Sequence, residues 1–113
     1  MNKDVEEKIN RLSLLEQNSQ QLGAQRNSFQ KQLLEVDSAL SELGSSTNSY
    51  KIIGSIMVKV SSEKLKEDLD SRKGLLSARV KSLEKQEKNI KDKIKSLQEE
   101  VLKALESQGE GEK

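Results

Sequence analysis

Two long stretches of seven-residue hydrophobic repeat, roughly residues 5–44 and 65–106, flank a short apolar segment centred on Gly54-Ser55. In the first stretch the a positions fall on Val5, Leu12, Ser19, Arg26, Leu33 and Leu40, and the d positions on Lys8, Leu15, Leu22, Phe29, Val36 and Leu43. In the second, the d set is Leu69, Leu76, Leu83, Ile90, Leu97 and Ala104, and the a set is Lys66, Lys73, Val80, Glu87, Ile94 and Val101. An antiparallel coiled coil sets a on one helix against d on the other, so the two sets can be checked against each other. Leu40 then meets Leu69, Leu33 meets Leu76, Leu12 meets Leu97 and Val5 meets Ala104, and each pair of residue numbers has the same sum. Phe29 with Val80, Leu15 with Ile94, and the turn-flanking pair Ile53 with Ile56 share it. One register therefore serves helices and turn alike. The predicted fold is mainly α: a long antiparallel two-helix coiled coil joined by a single β-hairpin, each helix on the order of 60 Å long at 1.5 Å per residue.

The segment from Tyr50 to Val60 reads as two strands joined by a two-residue turn, and glycine at the first central position, Gly54, favours type II′. Pairing Ile53 with Ile56, Ile52 with Met57 and Lys51 with Val58 leaves both faces apolar. One carries Ile53, Ile56, Val58 and Val60; the other carries Tyr50, Ile52 and Met57. A lone two-stranded hairpin is marginal in water, and its edges present unpaired backbone groups. Hairpins from several chains are therefore expected to join into a shared sheet or closed barrel, an oligomeric platform.

Composition bounds the rest. The 113 residues form at most one domain, predicted as 1–113, with a first helix at about 5–44, the hairpin at 50–60, a second helix at 62–106 and a flexible tail at 107–113. Apolar residues make up 32% and charged residues 35%, too few apolar groups for a thick core but enough for a seam two helices wide. Net charge is +1 with lysine and glutamate interspersed, unlike a nucleic-acid-binding surface. Neither cysteine nor histidine occurs, which removes disulfides, thiolate metal sites and the commonest metal ligand and general base. With no convergent carboxylate site and no pocket expected between two helices, no catalysis, metal or cofactor is expected. No apolar run approaches the length of a membrane span, and the first residues are too polar for a signal peptide. A soluble cytoplasmic protein is the expectation.

Local signals refine the boundaries. Gly44 follows the last seam residue, Leu43, where a helix C-cap glycine belongs, and Ser61 or Ser62 caps the second helix with Glu63 in its first turn. Gly23 and Gly74 lie inside helices and read as local softness or close packing. Gly109 and Gly111 fall in the polar tail. Arg26 and Glu87 occupy adjacent seam layers and either reach to solvent or pair to fix the register. At the chain ends, Val5, Ile9 and Leu12 are expected near Val101, Leu102 and Leu105. Ile9, Leu102 and Leu105 lie off the seam and either widen its weak end or are offered to a partner.

The run Tyr50-Lys51 with Gly54 and then Ile56-Met57-Val58-Lys59-Val60 resembles the central segment of the prefoldin family. The flanks agree, with a Gln-rich first helix carrying Leu14-Leu15-Glu16-Gln17 and a Lys/Glu-rich second helix carrying Leu83-Glu84-Lys85-Gln86-Glu87. The resemblance covers nearly the whole chain. It is to the β-type subunit with one hairpin, since α-type subunits carry two, and the length resembles the archaeal form. It implies a hexamer of two α-type and four β-type subunits whose hairpins build a double β-barrel. The coiled-coil tips then hold unfolded client proteins and pass them, without ATP, to a group II chaperonin. On this chain the assembly residues would be Tyr50, Ile52, Ile53, Ile56, Met57, Val58 and Val60. The client-binding residues would be Val5, Ile9, Leu12, Val101, Leu102 and Leu105, and the chaperonin contacts Glu99, Glu100 and Glu106. No nucleic acid, membrane or nucleotide partner is implied.

The competing reading is a structural coiled-coil adaptor that tethers partners without holding clients; it accounts for the heptads but gives a two-faced apolar hairpin no purpose. A membrane-bound amphipathic helix pair is disfavoured by the balanced charge and the lack of aromatic residues on the apolar stripe.

Overall fold

Proline is absent from the sequence, and Leu, Glu, Gln, Lys and Ala fill much of the two heptad stretches, so nothing interrupts helical hydrogen bonding. The computed structural model describes residues 3–44 and 48–111, with side chains described as far as Ser107. Helix α1 spans Lys3–Leu43, strand β1 Ser49–Ile53, strand β2 Ile56–Val60, and helix α2 Ser62–Gly111. Acidic residues stand in the first turn of each helix, Asp4 and Glu6 in α1 and Glu63 in α2, where they complement the helix dipole. Helix α2 continues past its expected end at 106, through the first part of the expected tail. Gly109 and Gly111 weaken a helix by about 1 kcal/mol each but, unlike proline, leave its hydrogen bonds intact. Glu112 and Lys113, the rest of that tail, lie outside the described residues.

The chain divides into two units, each built from one stretch of α1 and one of α2. The hairpin unit, Arg26–Lys81, holds the hairpin and the adjoining helix stretches. Its seam buries Val36, Leu76 and Val80, with Phe29, Leu33, Leu40, Leu43 and Leu69 half-buried around them. The two helix stretches run antiparallel, as their cross-contacts show. The Lys73 ammonium lies 2.9 Å from the Asp37 carboxylate, and the Arg79 guanidinium sits 5.4 Å from the centre of the Phe29 ring. Asp37, by accepting a hydrogen bond and by its charge, holds the Lys73 ammonium above its ordinary pKa.

The end unit holds residues up to Gln25 together with those from Ser82 onward. Val5, only 1% exposed, is its most buried side chain, and Leu83 and Leu97 are also buried. Leu12, Leu15, Leu22, Ile90, Ile94, Val101 and Ala104 are half-buried. Lys8 and Glu100 approach to 3.7 Å across the seam. Both units thus have a seam one layer deep, which is what a chain with 32% apolar residues can fill.

Every a and d residue of α1 is buried or half-buried, Arg26 and Ser19 included, as the heptad phase requires. Arg26 donates to Gln30 Oε1 one turn along its own helix, at 3.0 Å, and Glu87 is likewise half-buried. In α2 the phase holds at Leu69 and from Leu76 onward but fails at two a positions: Lys66 and Lys73 are exposed. A lysine ammonium is expensive to desolvate, so its long side chain swings outward, and Leu65 is half-buried in that part of α2 instead.

The helix ends show how side chains complete the backbone. Ser61, not Ser62, caps α2: its Oγ accepts from the Lys64 N–H at 3.5 Å, and its carbonyl accepts from the Leu65 N–H at 3.0 Å. Ser62 instead shares a 2.7 Å hydroxyl–hydroxyl hydrogen bond with Ser49, which is buried, and so ties the start of β1 to the start of α2. At the end of α1 the Gly44 N–H donates to the Leu40 carbonyl at 3.2 Å. Gly44 does not turn left-handed, because among the described residues only Gly54 has a positive φ. A Cβ at Gly23 or Gly74 would meet no atom within 4 Å, which removes close packing as the reason for either glycine.

Candidate functional site

The hairpin forms in the register the sequence implies: Ile53 opposite Ile56, Ile52 opposite Met57, Lys51 opposite Val58, Tyr50 opposite Lys59 and Ser49 opposite Val60. Gly54 has φ 62° while Ser55 stays at negative φ, the pattern of a type II′ turn. Among the described residues the sheet has two strands, so each strand has one edge unpaired. Tyr50, Ile52, Ile53, Ile56, Met57 and Val58 are between 40% and 70% exposed, and Val60 is half-buried. Strand alternation puts Ile53, Ile56, Val58 and Val60 on one face and Tyr50, Ile52 and Met57 on the other. Covering such side chains is worth roughly 1–2 kcal/mol each. Six together come to about 10 kcal/mol, comparable with the cost of association, about 4–15 kcal/mol. Apolar contact alone would thus only roughly balance that cost, and the two open edges offer backbone pairing in addition.

In the end unit the off-seam residues Ile9, Leu102 and Leu105 are exposed. At heptad positions e, b and e they belong to one flank of the antiparallel pair. Leu12 and Val101 are half-buried, and Val5 is closed off in the seam. Of the six residues assigned to client binding, then, three present apolar surface and three support it from below. Glu99, Glu100 and Glu106 are all exposed, and Glu100 also lies within ion-pair distance of Lys8.

Leu14, Leu34 and Leu75 are exposed leucines outside both the seam and the candidate sites. The sequence marks them: all three fall at b or c positions of the same heptad phase, where a solvated helix face carries polar residues.

The grooves among the described residues are open and lined by mixed side chains. One, in the end unit, is bordered by Arg11, Leu15, Lys93, Ser96, Leu97 and Glu100. Another, at the root of the hairpin, is bordered by Ala39, Leu43, Leu65, Leu69 and Tyr50 among others. Among those residues no group of three or more Asp and Glu stands close enough to hold a metal, and no helix is long and apolar enough to cross a membrane. The arrangement defines a helix–hairpin–helix subunit that offers apolar surface for contact with other chains.

The family described as prefoldin subunit matches residues 6–108. A prefoldin subunit beta of Sulfurisphaera tokodaii is 30% identical over 105 residues, covering 90% of this chain and 84% of that one. The prefoldin subunit beta of Pyrococcus furiosus is 31% identical over 104 residues, covering 89% of each. Among solved structures, the prefoldin beta subunit from Thermococcus strain KS-1 superposes with a TM-score of 0.86 at 29% identity, over 92% of this chain and 94% of that one. This chain belongs to the prefoldin family, a family of chaperones rather than enzymes, and its similarity is to the β-type subunits.

Proposed function

We propose that this chain is a β-type subunit of a hexameric prefoldin with two α-type and four β-type members. It acts without ATP in the cytoplasm, holding non-native proteins at the ends of its coiled coils and delivering them to a group II chaperonin. The observation that carries this reading is the hairpin. It has apolar side chains on both faces and two open edges, and an adaptor that only spaced its partners would have no use for it. Eight β-hairpins, two from each α-type chain and one from each β-type chain, closing into a double barrel would cover both faces and satisfy both edges.

Client holding rests on Ile9, Leu102 and Leu105. Unfolded chains expose apolar segments of no fixed sequence, so a holder needs adaptable apolar patches with little demand on shape. Several weak patches on one assembly give avidity through effective concentration, while each contact stays quick to break. Glu99, Glu100 and Glu106 are assigned to chaperonin contact, with Glu100 also within ion-pair distance of Lys8 in the isolated chain.

The test is a pair of variants assayed for mass in solution and for suppression of client aggregation. Leu102→Ser with Leu105→Ser is expected to assemble normally and to lose most of the suppression. Suppression equal to wild type in that variant would refute the client assignment. Ile53→Asp or Ile56→Asp is expected to abolish assembly and suppression together.

A further inference from the structure

Leu34 and Leu75 are the most exposed leucines among the described residues, at 68% and 67%. Both belong to the hairpin unit, and neither serves the seam, the turn or the hairpin faces. The register that sets Leu33 against Leu76 places them at one level along the helix pair. Leu34 takes a b position on α1 and Leu75 a c position on α2. In an antiparallel pair b lies on the e flank and c on the g flank, and like flanks face each other, so the two leucines project on opposite flanks. The grooves agree with this phase. Leu75 lines an open groove with Phe29, Gln32, Arg72, Leu76 and Arg79, to which Leu34 does not contribute. That groove shares Gln32 and Arg72 with a second, and the second shares Ala39 and Leu69 with a third that reaches Tyr50 of the hairpin. The flank bearing Leu75 is thus continuous with the hairpin surface.

We propose that Leu34 of one chain seats in the Leu75 groove of a second copy of this chain beside it, a head-to-tail contact that extends the hairpin interface onto the helices. The inference rests on the assembly reading above. A projecting residue on one flank and its groove on the other, at the same level, is the geometry of a heterologous contact, which here would join neighbouring β-type chains. The groove, at about 230 Å³ and open, falls below the ~300 Å³ at which small-molecule sites begin, so a side chain suits it better than a ligand.

The absence of cysteine from the sequence makes the test clean. Leu34→Cys and Leu75→Cys are made singly, and each is assembled with an α-type prefoldin subunit, alone or as an equal mixture of the two. The mass of each assembly is measured before mild oxidation. At full hexameric mass, the mixture is expected to give disulfide-linked dimers several-fold in excess of either variant alone, because only Leu34→Cys against Leu75→Cys brings two Cα atoms within bridging range, about 4.4–6.8 Å. Full mass with no excess over the single-variant controls overturns the contact and leaves the assembly reading standing. Failure of the unsubstituted chain, assembled in parallel, to reach that mass overturns the assembly reading, and the contact with it.

Discussion

The Ser49–Ser62 hydrogen bond shows how much one polar pair can decide. Ser49 is 5% exposed, and the partner its hydroxyl shows is the Ser62 hydroxyl at 2.7 Å. Removing one partner strands a buried polar group, at a cost of about 1–3 kcal/mol, whereas removing both can be nearly neutral. Denaturant unfolding is therefore expected to rank Ser62→Ala below Ser49→Ala with Ser62→Ala; the opposite order would mean the pair has no structural role. Gly23 and Gly74 give the contrary case. Each has room for a methyl group inside a helix, so Gly23→Ala and Gly74→Ala should each raise stability by about 0.5–1 kcal/mol, a shift of a few degrees in Tm. A fall in Tm would mean the helix needs its glycine to bend. Lys73 carries a pH signature. Its pKa is raised above the ordinary 10.5 by Asp37, so the folded state binds this proton more tightly than the unfolded state. That contribution is fully present below the ordinary value and is lost as pH rises through the raised one. In alkaline titration the difference in stability between wild type and Asp37→Asn should stay constant up to about pH 10 and shrink above it; a difference independent of pH to the end would exclude the pair as its source.

At the scale of elements, the heptad pattern and the turn carried most of the fold. Val36, Leu76, Val80, Leu83 and Leu97 were all legible as seam residues, because seam burial follows directly from helical periodicity, and all are buried. The strand register was legible for the same reason, since side chains alternate with period two and Gly54 fixes the turn. Lys66 and Lys73 were misplaced because a heptad assigns a direction to Cβ and not to a charged end group. The Ser49–Ser62 bond was illegible because it joins two elements through hydroxyls that no periodicity marks. The candidate end site was half legible. Off-seam position marked Ile9, Leu102 and Leu105, which are exposed, and the a position of Val5 marked it for the seam, where it is buried. The hairpin should also depend on Gly54. Its φ of 62° strains any residue with a Cβ, so Gly54→Val is expected to weaken assembly measurably in solution.

At the scale of the whole molecule, the proposed function divides two tasks between the two units. The exposed apolar residues of the hairpin lie in the hairpin unit and Ile9, Leu102 and Leu105 in the end unit, so on the proposed function each surface can be altered while the other is kept. This separation is what makes the variants above informative, since a loss of holding without a loss of mass has only the end unit to blame. It also explains why so thin a seam suffices, because burial missing within one chain is supplied between chains once the hairpins join. The most direct test is the mass in solution of the purified chain, alone and mixed with an α-type prefoldin subunit. The account predicts a species matching two α-type and four β-type chains. A monomer or simple dimer that ignores the α-type chain would contradict it and return the chain to the adaptor reading.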